Sequence, residues 1–177
     1  MKLEEAVALA DKVVSVLGPL CERVEVVGSI RRQKPDVNDI DIVAIPAVCS
    51  SQSPLGTTIA YGQNETWKQL IPQALMRNLL SSNQQLGQEL MRFRFRDNGL
   101  QVDMYRARVE TWGVLLLVRT GSQEHNVKLC SLARSKGLML SAARGMMRDG
   151  KVVASRTEEE IFAALGLPFV EPKDREV

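Results

Sequence analysis

The sequence predicts an α+β fold: a mixed or antiparallel sheet with helices on one face, followed by a small, mainly helical C-terminal part. Three observations carry this. Strand and helix patterns alternate in the first part of the chain, a hairpin signal stands at Asn98-Gly99, and helical spacing dominates the last third. The chain has 177 residues, 45% hydrophobic and 25% charged, enough for one good core or for two small domains sharing an interface.

Leu3, Val7, Ala10, Val14 and Leu17 recur at helical spacing, and Gly18-Pro19 stops that helix. A short strand is expected over residues 23–27. Gly28-Ser29 turns it into a brief helix through Gln33, and residues 40–45 form the next strand. Residues 47–64, rich in Ser, Gly, Thr and Gln and without periodicity, read as a mobile or functional loop. Helix resumes over 66–80. A hairpin follows: MRFRFRD, the turn Asn98-Gly99, then LQVDMYR. With a two-residue turn, Asp97 pairs with Leu100 and Arg94 lies opposite Asp103. Helices are expected over 109–118 and 123–136, the second ending at Gly137. Asp149-Gly150 marks a small second hairpin. Thr157 with Glu160 has the capping-box pattern that opens a last helix, closed at Gly166.

Composition narrows the functional classes. No run approaches the ~18 apolar residues of a membrane span. The start, MKLEEAVALADKVV, reads as an amphipathic helix rather than a signal peptide. Cys21, Cys49 and Cys130 are odd in number and widely spaced, which fits a reducing cytoplasm and suggests neither a zinc site nor a disulfide framework. Net charge is only +2, so any basic surface has to be local.

The chemistry concentrates in GSIRRQKPDVNDIDIV, residues 28–43. In a strand, Asp39 and Asp41 project to the same side, where two close carboxylates repel unless a cation sits between them. A hard divalent ion, Mg2+ or Mn2+, resolves that conflict. Alternatively, Asp39 ends a loop and Asp41 caps or hydrogen-bonds nearby. On the hairpin, Phe93, Phe95 and Val102 face the core, while Arg92, Arg94, Arg96 and Asp103 share the other side. A strand carboxylate between Val and Met needs a cationic partner. Arg94 alone supplies one, or Asp103 is the third ligand to ions held by Asp39 and Asp41. Gly28 lets backbone N–H groups approach an anion, Ser29 offers a hydroxyl, and Arg32 a planar fork suited to phosphate. A phosphate nest ahead of a DxD suits transfer from a metal-bound triphosphate.

Gly28-Ser29-x-Arg31-Arg32, with Asp39-x-Asp41 and Asp103, resembles the nucleotidyltransferase signature of family X DNA polymerases, the polymerase beta group. RTGSQEHNVKLCSLARSKGLML resembles that family's TGS-x-x-x-N segment and following helix, and EEEIFAALGLPFVEPKDRE its C-terminal signature. The likeness spans about residues 5 to 176. It implies a nucleotidyltransferase palm at 1–108 and a C-terminal nucleotide-binding subdomain, thumb- or fingers-like, at 109–177. It makes Asp39, Asp41 and Asp103 catalytic ligands of two Mg2+ ions, with Mn2+ as a substitute. Ser29 and Arg32 would hold the β- and γ-phosphates with Gly28 providing room at the nucleotide, and Arg31 would serve subdomain contacts. Gly121 and Ser122 would lie beneath the nucleotide sugar, and Asn126 would read the minor-groove edge of the incoming base. The implied activity is that of a DNA-directed DNA polymerase acting on dNTP and primer-template or gapped DNA in repair, as a cytoplasmic monomer without membrane contact.

Arg92, Arg94 and Arg96 would track DNA phosphates, or else form a solvated face with Arg94 paired to Asp103. The chain departs from the family pattern at several positions. Val118-Arg119 replaces an aromatic pair, and Gln101 and Tyr105 stand where relatives often carry arginine. Cys130 replaces an arginine that touches the template, so lower fidelity is expected. His125 reads as a shape-filler rather than an acid or base. Residue 1 falls at the start of the implied palm, with no lyase domain or helix-hairpin-helix expected before it: either a naturally minimal polymerase, which the Met start and intact first helix favour, or an excised fragment. A minimal nucleotidyltransferase acting on tRNA ends or protein side chains would share Gly28, Ser29 and the aspartates without needing TGS-x-x-x-N. Template-independent tailing of DNA is a further alternative. A non-catalytic nucleotide-binding module would be expected to lack one of the carboxylates.

Overall fold

Backbone pairing in the first part of the chain builds one five-stranded sheet. The computed structural model describes residues 1–52 and 57–176, the side chains at 82–85 excepted. Helix α1 (Leu3–Leu17) leads into β1 (Cys21–Val26), then the one-turn α2 (Gly28–Arg31) and β2 (Asp39–Pro46). Strands β3 (Cys49–Gln52) and β4 (Thr58–Tyr61) pair with each other. Helix α3 (Gln63–Glu65), a π turn (Thr66–Leu70) and α4 (Ile71–Asn78) precede β5 (Leu80–Leu86), β6 (Leu90–Phe95) and β7 (Gln101–Arg106). The sheet order is β1-β2-β7-β6-β5, with β2 and β7 parallel and the other neighbours antiparallel.

Strand β2, DIDIVAIP, is apolar on both faces beyond Asp41, as a strand covered on both sides has to be. Ile40, Ile42 and Ala44 join Met91, Phe93, Val102 and Met104 beneath α1 and α4, which add Ala10, Val13, Leu17, Ile71 and Leu75. Each fully buried Leu, Ile or Phe there contributes about 1.5–3 kcal/mol. Val43, Ile45 and Tyr105 face the other way and pack on Leu116. Leu116 lies on α5 (Trp112–Thr120), whose sequence WGVLLLVRT is apolar on nearly every side. The opposite side of α5, Val114 and Leu117, enters a second core with α6 (Gln123–Ser135) and α7 (Glu158–Ala164). Three short strands, β8 (Met139–Ser141), β9 (Gly145–Arg148) and β10 (Lys151–Ala154), complete the C-terminal part. The fold is α+β, with α5 packed between the large sheet and the C-terminal helices.

Several expectations are corrected. The buried stripe of α1 is Ala6, Ala10, Val13 and Leu17, while Val7 is 37% exposed. The segment VALADKVVSVL is apolar enough to carry two stripes, and the alanine-lined one packs closer. Residues 47–64 hold β3 and β4, and residues 53–56 lie outside the described residues. The helix expected over 66–80 starts at Gln63 and ends at Asn78, and Leu80 opens a strand.

The first hairpin closes through a longer loop. Phe95 N–H donates to the Leu100 carbonyl (2.9 Å) and Gly99 N–H to the Phe95 carbonyl (3.0 Å). Arg92, not Arg94, therefore lies opposite Asp103. The register differs by two residues, so every side chain keeps its expected face.

Candidate active site

The parallel pair β2–β7 sets Asp41 directly opposite Asp103 and Asp39 opposite Gln101. Strand alternation puts Asp39 and Asp41 on one face, and parallel register puts Asp103 on the same face. All three carboxylates line one open cavity of about 830 Å3 between the sheet and helices α5 and α6. Burial, reinforced by Asp39 and Asp103, pushes Asp41 up to about 7 against the pull of Tyr105 and Arg119. Asp39 is also raised, by burial and by Asp103, with Arg92 and Arg32 opposing.

Asp103 is 3% exposed and is clasped on two prongs by Arg92: Nε to Oδ1 and Nη2 to Oδ2, both 2.7 Å. The expected Arg92-Arg94-Arg96 row is not a shared free surface. Arg94 Nη1 donates to the Gly99 carbonyl (3.0 Å). Arg96 turns back to the carbonyls of Leu80 (3.1 Å) and Met76, holding the end of α4.

Gly28 has a φ of 64° and backs onto Asp41, so closely that a Cβ there would lie 2.3 Å from Asp41 Oδ2. Only glycine combines that conformation with that approach. Ser29 lines the cavity, and its buried Oγ has no hydrogen-bond partner among the described residues. Arg32 donates through Nη1 to the Thr120 carbonyl and through Nε to Glu176. Arg31 turns away from the cavity. It donates to Thr120 Oγ1 (2.7 Å) and grips Glu158 at 3.0 and 2.6 Å, and Glu158 also takes Arg175 Nη1 at 2.7 Å.

Gly121 (φ 74°) ends α5 beneath Arg32, whose Nη1 would stand 3.2 Å from a Cβ. Ser122 does not face the cavity. Its Oγ caps α6 by accepting from His125 N–H (3.3 Å) and donates to the Arg175 carbonyl (2.8 Å). Asn126 does face it, with Nδ2 fixed on the Val118 carbonyl (2.9 Å) and Oδ1 buried without a partner among the described residues. His125 packs 5.9 Å from the Phe162 ring, and burial with nearby Arg175 pushes it down to about 4, so it stays neutral and fills space. Cys130 lines the cavity, as do Val118 and Arg119.

Some contacts had no sequence signal. Tyr105 donates to Asp41 Oδ1 (3.3 Å), and the Arg119 guanidinium lies 3.9 Å over the Tyr105 ring. Lys34, Thr120 and Glu176 join the site from loops and termini of elements that periodicity does not describe. Arg175 and Glu158 sit in the C-terminal motif, but nothing local says that they meet.

The donor set fits a hard divalent cation in kind: oxygen ligands on one open wall, repelling one another for want of positive charge. Among the described residues, no group of three ligating side chains stands at metal-binding spacing. Arg92 holds Asp103 and Tyr105 holds Asp41 instead.

Residues 115–176 match the family model described as the DNA polymerase beta thumb. The chain is 24% identical over 150 residues to the DNA polymerase/3′-5′ exonuclease PolX of Bacillus subtilis (strain 168). Its fold matches the crystal structure of Leishmania infantum polymerase beta in a ternary P/T complex, with a TM-score of 0.75. These likenesses support a family X polymerase-like protein, with the family's thumb at residues 115–176. The structural match covers 100% of this chain and 77% of the other at 20% identity, so what it establishes is the shared fold. The PolX alignment takes in 84% of this chain and only 23% of its relative's length. Among the described residues no helix is long and apolar enough to cross a membrane.

Proposed function

We propose that this chain is a DNA polymerase that moves a deoxynucleotide from dNTP to a primer 3′-hydroxyl, with residues 1–108 as palm and 109–177 as nucleotide-binding subdomain. The observation that carries this reading is the meeting of Asp39, Asp41 and Asp103 on neighbouring parallel strands at one cavity, beside Gly28 and Ser29. Two Mg2+ ions, or Mn2+ in their place, held by Asp39, Asp41 and Asp103 would lower the pKa of the primer hydroxyl and offset charge on the leaving pyrophosphate.

The chain's own residues orient the rest. Gly28 leaves room for phosphate beside Asp41. The unpaired Ser29 hydroxyl and the Arg32 fork meet the β- and γ-phosphates. Gly121 provides the floor under the sugar, with Ser122 acting through the helix it caps. Asn126 offers its unpaired amide oxygen to the edge of the base. Arg92 clasps the buried Asp103 on two prongs and fixes its orientation. Arg94, exposed and held among the described residues by its bond to the Gly99 carbonyl, is the arginine of its strand left to meet DNA phosphate, while Arg96 holds α4.

The substrate is primer-template or gapped DNA in repair, and the protein works as a monomer. Three free thiols, at Cys21, Cys49 and Cys130, suit a reducing cytoplasm.

Primer extension on single-stranded, recessed and gapped DNA, with Mg2+ or Mn2+, tests the reading. Incorporation should follow the template base, be strongest on gaps, and disappear in Asp103→Ala. Extension that ignores the template would make the protein a tailing enzyme. Transfer to tRNA or protein with none to DNA would replace the polymerase reading.

A further inference from the structure

One carboxylate sits on the phosphate-facing cations of this site. Arg32 Nε donates to one Glu176 oxygen, and Lys34 Nζ stands 3.1 Å from the other. Arg32 and Lys34 both line the cavity of Asp39, Asp41 and Asp103. A carboxylate held between a guanidinium and an ammonium offers them what two oxygens of a phosphate would offer. It brings one negative charge to two positive ones, so a more highly charged anion satisfies the seat better. On the same wall, the buried Ser29 Oγ has no partner among the described residues, which is uncommon for a hydroxyl out of reach of water. The neighbouring pair differs in kind. Arg31 grips Glu158, whose side chain is 5% exposed and shared with the fully buried Arg175, whereas the Glu176 side chain is 38% exposed. The first pair is built in; the second can open.

From this geometry we infer that Lys34 joins Arg32 and Ser29 at the seat proposed above for the terminal phosphates, and that Glu176 fills this seat until the nucleotide displaces it. The inference rests on the nucleotide-transfer reading above. It adds Lys34 as a phosphate ligand and Glu176 as an intramolecular competitor. Apparent affinity is the intrinsic affinity scaled by the fraction of molecules with the seat open. If Glu176 occupies it about 70–90% of the time, removing its charge tightens triphosphate binding about three- to tenfold.

The test is calorimetric titration of the full chain with Mg2+ and a dNTP, and separately with the matching nucleoside monophosphate, which lacks the terminal phosphates. Glu176→Gln should bind the triphosphate about three- to tenfold tighter and the monophosphate as before. Lys34→Gln should weaken the triphosphate several-fold and leave the monophosphate unchanged, which loss of a mere surface tether would not do. Wild-type binding of triphosphate with unchanged or weaker binding by Glu176→Gln would overturn the inference alone. No triphosphate binding by any form would overturn the nucleotide reading, and this inference with it.

Discussion

A methyl group at position 28 would enter space that Asp41 already fills. Gly28→Ala places a Cβ 2.3 Å from Asp41 Oδ2 and 3.1 Å from its Cβ and Cγ, against an ordinary contact of about 3.5–4 Å. The backbone at φ 64° adds about 1–2 kcal/mol for any L side chain. Asp41 therefore rotates away, giving up its bond to Tyr105, worth about 1 kcal/mol. The sum is a loss of about 2–3 kcal/mol in urea unfolding, with primer extension down about 100-fold from the displaced carboxylate. Gly99→Ala is the matched control. Its φ is 71° and nothing lies within 4 Å of a Cβ, so it bears the backbone term alone and leaves extension unchanged. A Gly28→Ala protein that unfolds like Gly99→Ala and extends primers like the wild type would refute the contact between Gly28 and the acidic site.

Other consequences are as direct. Glu158→Gln strips the counter-charge from the fully buried Arg175, and a loss of about 3–5 kcal/mol is expected in denaturant unfolding. His125, held near 4 against its ordinary 6.5, binds its proton more readily when the chain is unfolded. Stability should therefore fall as pH drops from about 7 to 4, by about 3 kcal/mol at most, while pH above 7 changes nothing through this group. His125→Phe should remove that slope from the unfolding midpoint. Arg94→Ala should lower the salt dependence of DNA binding by about one unit of slope for every sequence. Arg96→Ala should leave the slope alone and lower stability by about 1 kcal/mol.

The site was legible where strand parity carries it. Asp39-x-Asp41 shares a face in any strand, and Asp103 on the polar side of FRF/QVDMY could be placed without knowing the register. For the same reason the register is not legible: moving a hairpin by two residues leaves every face intact, so pattern cannot tell Arg92 from Arg94 as the partner of Asp103. Strand β5, LSSNQQL, has no apolar alternation and joins the sheet through its backbone. Arg32 meets Glu176 across 144 residues, and Ser122 meets Arg175 across 53, contacts that only the packed fold brings about. Ser122 shows how a correct motif can still mislead in detail, since its hydroxyl caps α6 and leaves the cavity to its neighbours.

The central claim is that Asp39, Asp41 and Asp103 act together on divalent cations beside a triphosphate seat. Counting Mn2+ bound per chain by electron paramagnetic resonance, with a non-hydrolysable dNTP analogue present, addresses it without relying on turnover. Two ions are expected in the wild type, with loss in Asp39→Asn and in Asp41→Asn. A wild-type protein that binds the analogue but holds no Mn2+ beyond what those variants hold would contradict it.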